Sequence, residues 1–244
     1  LREKSVGFEI GDINVPIVPQ AILFDLLNGG DKEWGTFPPY RDMAYAACSD
    51  VSDTFELGST GAGSGATTFG LKGGLGSASL KLEDGLIVGA LAAVNAVGSV
   101  VIGQTHQFWA APFEIDAEFG GHGLPEPFPK NPIPTLNLSE PGENTTLCVV
   151  ATNAALDQKE LTRLAIMAQT GMARAIMPVH TPLDGDIVFA LSTGDVPLPN
   201  PLTDLTRIGT HTANTLARAI ARAIYCAKPD VNKSDLKPAY SEMF

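Results

Sequence analysis

The chain has 244 residues, enough for one large domain or two small ones, and its hydrophobic content of 44% fits an ordinary globular protein. A net charge of −11 argues against nucleic acid as a partner, because phosphate binding needs a basic face. The longest apolar stretch, 86–102, is broken by Gly89, Asn95, Gly98 and Ser99, so no membrane span is predicted.

Leu1-Arg2-Glu3-Lys4 carries no initiator methionine and reads like the last turn of a helix already under way, so a preceding N-terminal segment is expected. Short apolar runs follow over 5–31, broken by Pro16, Pro19 and Gly29-Gly30, and a short helix is predicted over 39–49, opening near Pro39. Residues 56–80 are rich in glycine, with Thr, Phe and Leu between, which predicts a loop and then a strand that something approaches closely. Glu83-Asp84-Gly85 is a turn into a strand predicted over 86–101. Residues 111–143 carry seven prolines and few apolar runs, as a long functional or processing loop would. A strand is predicted over 146–152. Asp157 with Glu160 three residues on is a capping signature for a helix to about Ile176, with Leu161, Leu164, Ala165, Ala168, Met172, Ala175 and Ile176 on one face. A strand over 187–191, a stiff loop around Pro197, Pro199 and Pro201, and a helix from about Leu205 to Ala227 complete the chain. The pattern suggests layered α+β architecture.

The chemistry centres on Asn144-Thr145, where a Pro-Gly-Glu lead feeds an apolar strand. A cut there would leave two substantial pieces and a threonine at the mouth of a strand. Such a threonine can use its hydroxyl as nucleophile and its own α-amine as base. Three further pieces converge on it. Asp184-Gly185-Asp186 offers two carboxylates that can project to one side of an extended stretch, able to hold an ammonium group or to orient a hydroxyl. Lys72 is the lone charge between Glu56 and Lys81 and can point inward. Asn95, an amide within an apolar strand, needs a partner, and a developing oxyanion is one. The ordinary readings beside these are a surface turn, an edge-strand lysine and a satisfied core amide.

Other chemistries fit less well. Cys48, Cys148 and Cys226 lack metal or disulfide spacing, and His106, His122, His180 and His211 are scattered, so neither a metal nor a cofactor is expected. His180 is read as structural, supporting the aspartate loop. The glycines match neither phosphate-loop pattern. The sequons at Asn137, Asn144 and Asn232 are read as chance.

The run Gly65-Ala66-Thr67-Thr68-Phe69-Gly70-Leu71-Lys72-Gly73-Gly74-Leu75-Gly76-Ser77-Ala78-Ser79 resembles the glycine-rich signature of the P1, or DmpA-type, aminopeptidase family. The resemblance continues through Val88-Gly89-Ala90-Leu91 with Asn95, Asn144-Thr145-Thr146, Ala151-Thr152-Asn153-Ala154 and the stretch from Pro178 to Asp186. That family includes L-aminopeptidase/D-amidase-esterases, β-peptidyl aminopeptidases and nylon-oligomer hydrolases; the Asn-Thr junction and the Asp-Gly-Asp pair are most similar to the last branch. The resemblance implies a single α+β domain over 1–244, arranged as a four-layer αββα sandwich. It implies self-cleavage between Asn144 and Thr145 into an α chain (1–144) and a β chain (145–244) that stay together, and a homotetramer or related homo-oligomer; a cytoplasmic location is expected. Thr145 would be the nucleophile, Asp184 and Asp186 would orient it, Lys72 and Asn95 would line the site, and Phe24, Gly73 and Gly74 would lie beside the substrate. Phe24 stands where a tyrosine is common in the family, and a phenyl ring cannot donate a hydrogen bond. The expected substrates are small peptides or amides with a free amino end, including D- or β-amino acyl compounds and 6-aminohexanoate oligomers. The alternatives are an acyltransferase of the ornithine acetyltransferase kind and a small-ligand binding protein with a decayed site.

Overall fold

The computed structural model describes residues 1–135, 144–230 and 237–244; the Pro141-Gly142-Glu143 lead, Asn137 and Asn232 lie outside the described residues. The strands are β1 (Phe8–Ile10), β2 (Ile13–Val15), β3 (Gly74–Lys81), β4 (Ile87–Asn95), β5 (Thr145–Ala154) and β6 (Ile187–Val196). The helices are α1 (Tyr40–Ser49), α2 (Gln158–Met172), α3 (Pro201–Tyr225) and α4 (Tyr240–Met243).

β1 and β2 form a separate antiparallel hairpin, and β3-β4-β5-β6 form a mixed sheet in that order. The first three strands are antiparallel, while β5 and β6 run parallel, with Leu147 opposite Ile187. The parallel pair needs a crossover, and α2 is the middle of it. α2 starts where its capping box lies: the Asp157 carboxylate accepts from Glu160 N at 2.8 Å, and Glu160 Oε2 accepts from Asp157 N at 2.9 Å. Both α2 and α3 lie on one face of the sheet. Every second residue of β5, from Thr146 through Cys148 and Val150 to Ala154, is buried on that face, where it meets the helix layer.

The opposite face carries Leu75, Leu91, Ala93, Leu147, Val149 and Phe189 around a cavity of about 230 Å³. The described residues therefore supply a helix layer and one sheet of the expected αββα arrangement. The hairpin side chains Phe8, Ile10, Ile13 and Val15 are exposed, and no residue of α1 is buried. Among the described residues, no helix is long and apolar enough to cross a membrane.

Several boundaries differ from the sequence expectation, β6 running on to Val196 and α2 stopping at Met172 among them, and two of the differences have a direct physical cause. β4 stops at Asn95, not 101, because the chain beyond it leaves β5 and pairs elsewhere: Ser99 N–H donates to Met177 O, and Met177 N–H donates to Ser99 O, each at 2.9 Å. α3 begins at Pro201, four residues earlier than expected. A proline at the first helical position loses no intrahelical hydrogen bond, so the residue read as loop starts the helix.

Candidate active site

The mixed sheet brings the sequence-selected residues to one of its ends. Asn95 is the last residue of β4, Thr145 is the first of β5, and the two are directly paired. Both therefore project from the same face, the one opposite the helices. Asp184 lies shortly before β6 and forms a parallel bridge with Asn144, and Lys72 precedes β3 by two residues at the same end. Thr145 is 7% exposed, Lys72 4% and Asn95 1%, so three polar side chains are buried together at strand ends.

Backbone donors pin the two carboxylates. Asp184 Oδ1 accepts from Val97 N at 3.2 Å, and its Oδ2 accepts from Thr181 N at 2.9 Å and from Thr181 Oγ1 at 2.6 Å. Asp186 Oδ1 accepts from Thr146 N at 2.8 Å, the amide next to the candidate nucleophile. Its Oδ2 accepts from His180 N at 3.2 Å and lies 2.9 Å from His180 Nδ1. Burial holds the Asp186 carboxyl above the usual carboxylate range. The Thr146 amide pulls the other way, the negative Asp184 adds to the rise, and His180 partly offsets it.

Between them, Gly185 gives room. A Cβ built on it would stand 2.8 Å from Thr145 Oγ1, so any side chain there would press on the hydroxyl. The Gly185 N–H donates to the carbonyl oxygen of Asn144 at 2.8 Å, and Asn144 N–H donates to Leu183 O at 3.2 Å.

Asn95 is held by two backbone groups. Its Oδ1 accepts from Thr67 N and its Nδ2 donates to Phe24 O, both at 2.9 Å. Phe24 thus reaches the site through its carbonyl, and the second Nδ2 proton of Asn95 is left over from these two bonds. Gly73 and Gly74 are set by close backbone packing: a Cβ on Gly73 would stand 2.0 Å from Val94 O, and one on Gly74 would stand 2.2 Å from Ala223 O on α3.

Several neighbours carried no local signal in the sequence. The Lys72 N–H donates to Pro238 O, and the Lys237 ammonium donates to Thr68 O, each at 2.8 Å, so the C-terminal segment braces the glycine-rich stretch. Burial pulls the Lys237 ammonium down from its ordinary pKa. These contacts span about 170 residues of chain, and only the folded sheet reveals them. Cys148 is no competing nucleophile, since burial pushes its thiol far up. A larger cavity, about 590 Å³, is lined by His106, His122, Tyr225, Tyr240, Ser241 and Phe244 and contains none of the strand-end residues. Among the described residues, no group of three or more His, Cys, Asp or Glu side chains could hold a metal ion.

The family model of peptidase family S58 matches residues 4–235. A protein of Mycobacterium tuberculosis named as an uncharacterized aminopeptidase is 39% identical over 260 residues, covering 100% of this chain and 72% of its own length. A 6-aminohexanoate-oligomer endohydrolase of Paenarthrobacter ureafaciens is 39% identical over 56 residues, 23% of this chain and 16% of that one. Among solved structures, the L-aminopeptidase D-Ala-esterase/amidase of Ochrobactrum anthropi superposes with a TM-score of 0.54 at 21% identity, covering 77% of this chain and 50% of that one. That structure is described as a variant of the Ntn hydrolase fold, and the likeness assigns the same fold here. The chain spans only half the length of that solved structure.

Proposed function

Because the chain belongs to peptidase family S58, we propose that it is a self-processing N-terminal-nucleophile hydrolase with Thr145 as nucleophile. The observation that carries this reading is the placement of Thr145. It is buried at the first position of β5, paired with Asn95, and its hydroxyl lies against the one residue between two pinned carboxylates that has no side chain. In the precursor, the Thr145 hydroxyl attacks the Asn144 carbonyl. The acyl group shifts from nitrogen to oxygen, and water hydrolyses the ester. The freed α-amine, with a reference pKa of about 7.7–8.0, then serves as base while the same hydroxyl attacks a substrate amide.

The two carboxylates take different parts. Asp186 fixes the Thr146 amide and hence the start of β5, while Asp184 anchors the loop to Val97 and Thr181. Together they place negative charge where the free amino end of a small peptide or amide would sit. Lys72 and the remaining Asn95 proton line the same strand ends, and Phe24, Gly73 and Gly74 border them. The likeness to a 6-aminohexanoate-oligomer endohydrolase extends the proposed substrates to 6-aminohexanoate oligomers, and the family resemblance extends them to D- or β-amino acyl compounds. In this reading the α and β pieces stay together in a homo-oligomer, with the tetramer expected from the family resemblance, and the protein is cytoplasmic.

Intact mass and N-terminal sequencing of the purified protein test the proposal. A fragment beginning Thr145-Thr146-Leu147 is expected, with Thr145→Ala uncut and without amidase activity. Wild-type turnover by Thr145→Ala would remove Thr145 from the mechanism.

A further inference from the structure

The precursor step poses a problem that the mature reaction does not. Before the cut, the Thr145 nitrogen is an amide and its carbonyl partner is a resonance-stabilised, poorly electrophilic group. Something must stabilise the negative charge that develops on the Asn144 oxygen when the hydroxyl adds. Donors already aimed at that oxygen do this best, because no reorganisation is needed at the moment of reaction.

One donor is in place. The Gly185 N–H points at the Asn144 carbonyl oxygen at 2.8 Å. The α-carbon of the same residue borders the nucleophile, since a Cβ there would sit 2.8 Å from Thr145 Oγ1. Donor and nucleophile thus flank one carbonyl. The donor is also fixed. The residues on either side of Gly185 have their carboxylates tied to Val97 N and Thr181 on one side and to Thr146 N and His180 on the other. The Asn144 N–H is held as well, by Leu183 O at 3.2 Å, so the scissile residue is clamped at both of its backbone polar groups. Asn95 Nδ2 gives one proton to Phe24 O, and the structure aims neither of its protons at the Asn144 oxygen in a bond like that of Gly185.

We propose that the Gly185 backbone N–H is the oxyanion donor for scission of the Asn144–Thr145 bond. The inference rests on the self-cleavage reading above. The bond between Thr145 Oγ and the Asn144 carbonyl carbon forms, and the π pair moves onto the carbonyl oxygen, held by Gly185 N–H. The intermediate collapses with rupture of the C–N bond. The proton lost from Oγ ends on the Thr145 nitrogen, leaving an ester and a free amine. Water then hydrolyses the ester to the Asn144 carboxylic acid and the Thr145 hydroxyl. The Asp-Gly-Asp order gains a reason: the carboxylates hold the loop, and the middle residue has no side chain because its N–H must reach the carbonyl without crowding the hydroxyl.

The test deletes this one N–H. The full chain is made by cell-free synthesis with glycolic acid at position 185, which replaces the amide N–H by an ester oxygen and leaves every side chain in place. Appearance of the fragment beginning at Thr145 is followed by intact mass. A matched control carries the hydroxy-acid analogue of leucine at position 183, whose N–H donates to Thr181 Oγ1 at 3.3 Å within the same loop and does not touch the scissile carbonyl. Scission is expected to slow by about 10²–10³-fold with the ester at 185 and to keep the natural rate with the ester at 183. Natural-rate scission with the ester at 185 overturns the assignment while leaving self-cleavage standing. Equal slowing in both chains also overturns it, since the N–H would then matter only as loop scaffold. A natural chain that is never cut overturns the self-cleavage reading and this proposal with it.

Discussion

Asp186 is the site residue whose chemistry is most altered by its surroundings. Its side chain is 3% exposed, and burial disfavours the anion more than the Thr146 amide and His180 favour it. The folded pKa therefore lies above that of an unfolded aspartate, about 3.9. Two consequences have opposite signs. Between the two pKa values the folded state binds more protons than the unfolded state, so this group makes stability fall as pH rises through that window. In the proposed mechanism the working form is the anion that holds the Thr146 amide, so activity rises through the same window. In kcat/KM the acid limb then carries two ionisations, that of the proposed α-amine base and that of Asp186 above the ordinary carboxylate midpoint, and Asp186→Asn should lower the rate and make the limb less steep by removing the second. A pH–rate series on both proteins checks this; an unchanged limb in Asp186→Asn would assign it to another group. The sequence makes both aspartates legible as a pair, because period-two spacing puts them on one side. It does not tell how deeply the Asp186 carboxylate is buried, since that depends on β6 running parallel beside β5.

At the scale of elements, the glycine-rich run is explained by helix packing. β3 meets α3 so closely that a Cβ on Gly76 would stand 2.0 Å from Ala219 O and 2.5 Å from Ala223 N. The expectation that something approaches this strand closely holds, and the approaching body is a helix backbone. That packing is reinforced where Arg218 and Arg222 reach from α3 to the carbonyls of Ser79 and Ser77, with Glu118 between the two guanidinium groups. Gly76→Ala must push α3 away or bend β3, a misfit costing about 1–3 kcal/mol. For a chain of this size that is a Tm drop of roughly 2–4 °C per kcal/mol. Thermal unfolding of Gly76→Ala in the Thr145→Ala background measures it without interference from processing, and an unchanged Tm would show that the helix is not seated as described. The capping box of α2 and the β3–β4 turn at Gly85, φ +85°, were readable from a few adjacent residues. The end of β4 was not, because the Ser99–Met177 pairing that draws the chain away from β5 joins residues 78 positions apart.

The whole molecule places the proposed cut in the middle of its sheet. β3 and β4 lie on the N-terminal side of Asn144–Thr145, and β5, β6, α2 and α3 lie on the other. No local pattern announces this, because the strand order and the meeting of Lys72, Asn95, Thr145 and Asp184 at one sheet end are properties of the assembled sheet; from sequence each residue was singled out by its local setting, and the family resemblance set them in one site. The consequence for stability is direct. β4 and β5 remain paired from Val88–Thr152 to Asn95–Thr145, and α3 packs on both β3 and β4, so cleavage removes one covalent link from an otherwise intact core. The two pieces should co-elute in native buffer and separate only in denaturant. Unfolding then changes order. In the cut protein it releases two chains from one folded unit, so mass action makes Tm rise with protein concentration. In uncut Thr145→Ala this contribution is absent. Scanning calorimetry of both proteins over a hundredfold concentration range should show a concentration-dependent Tm for the cut protein and a smaller dependence, or none, for the variant. A shared homo-oligomer adds the same dependence to both, which the difference between them cancels. If the cut protein's Tm tracked the variant's at every concentration, the two pieces would not be held by the β4–β5 and α3 contacts alone, and the sheet would have to close in some other way.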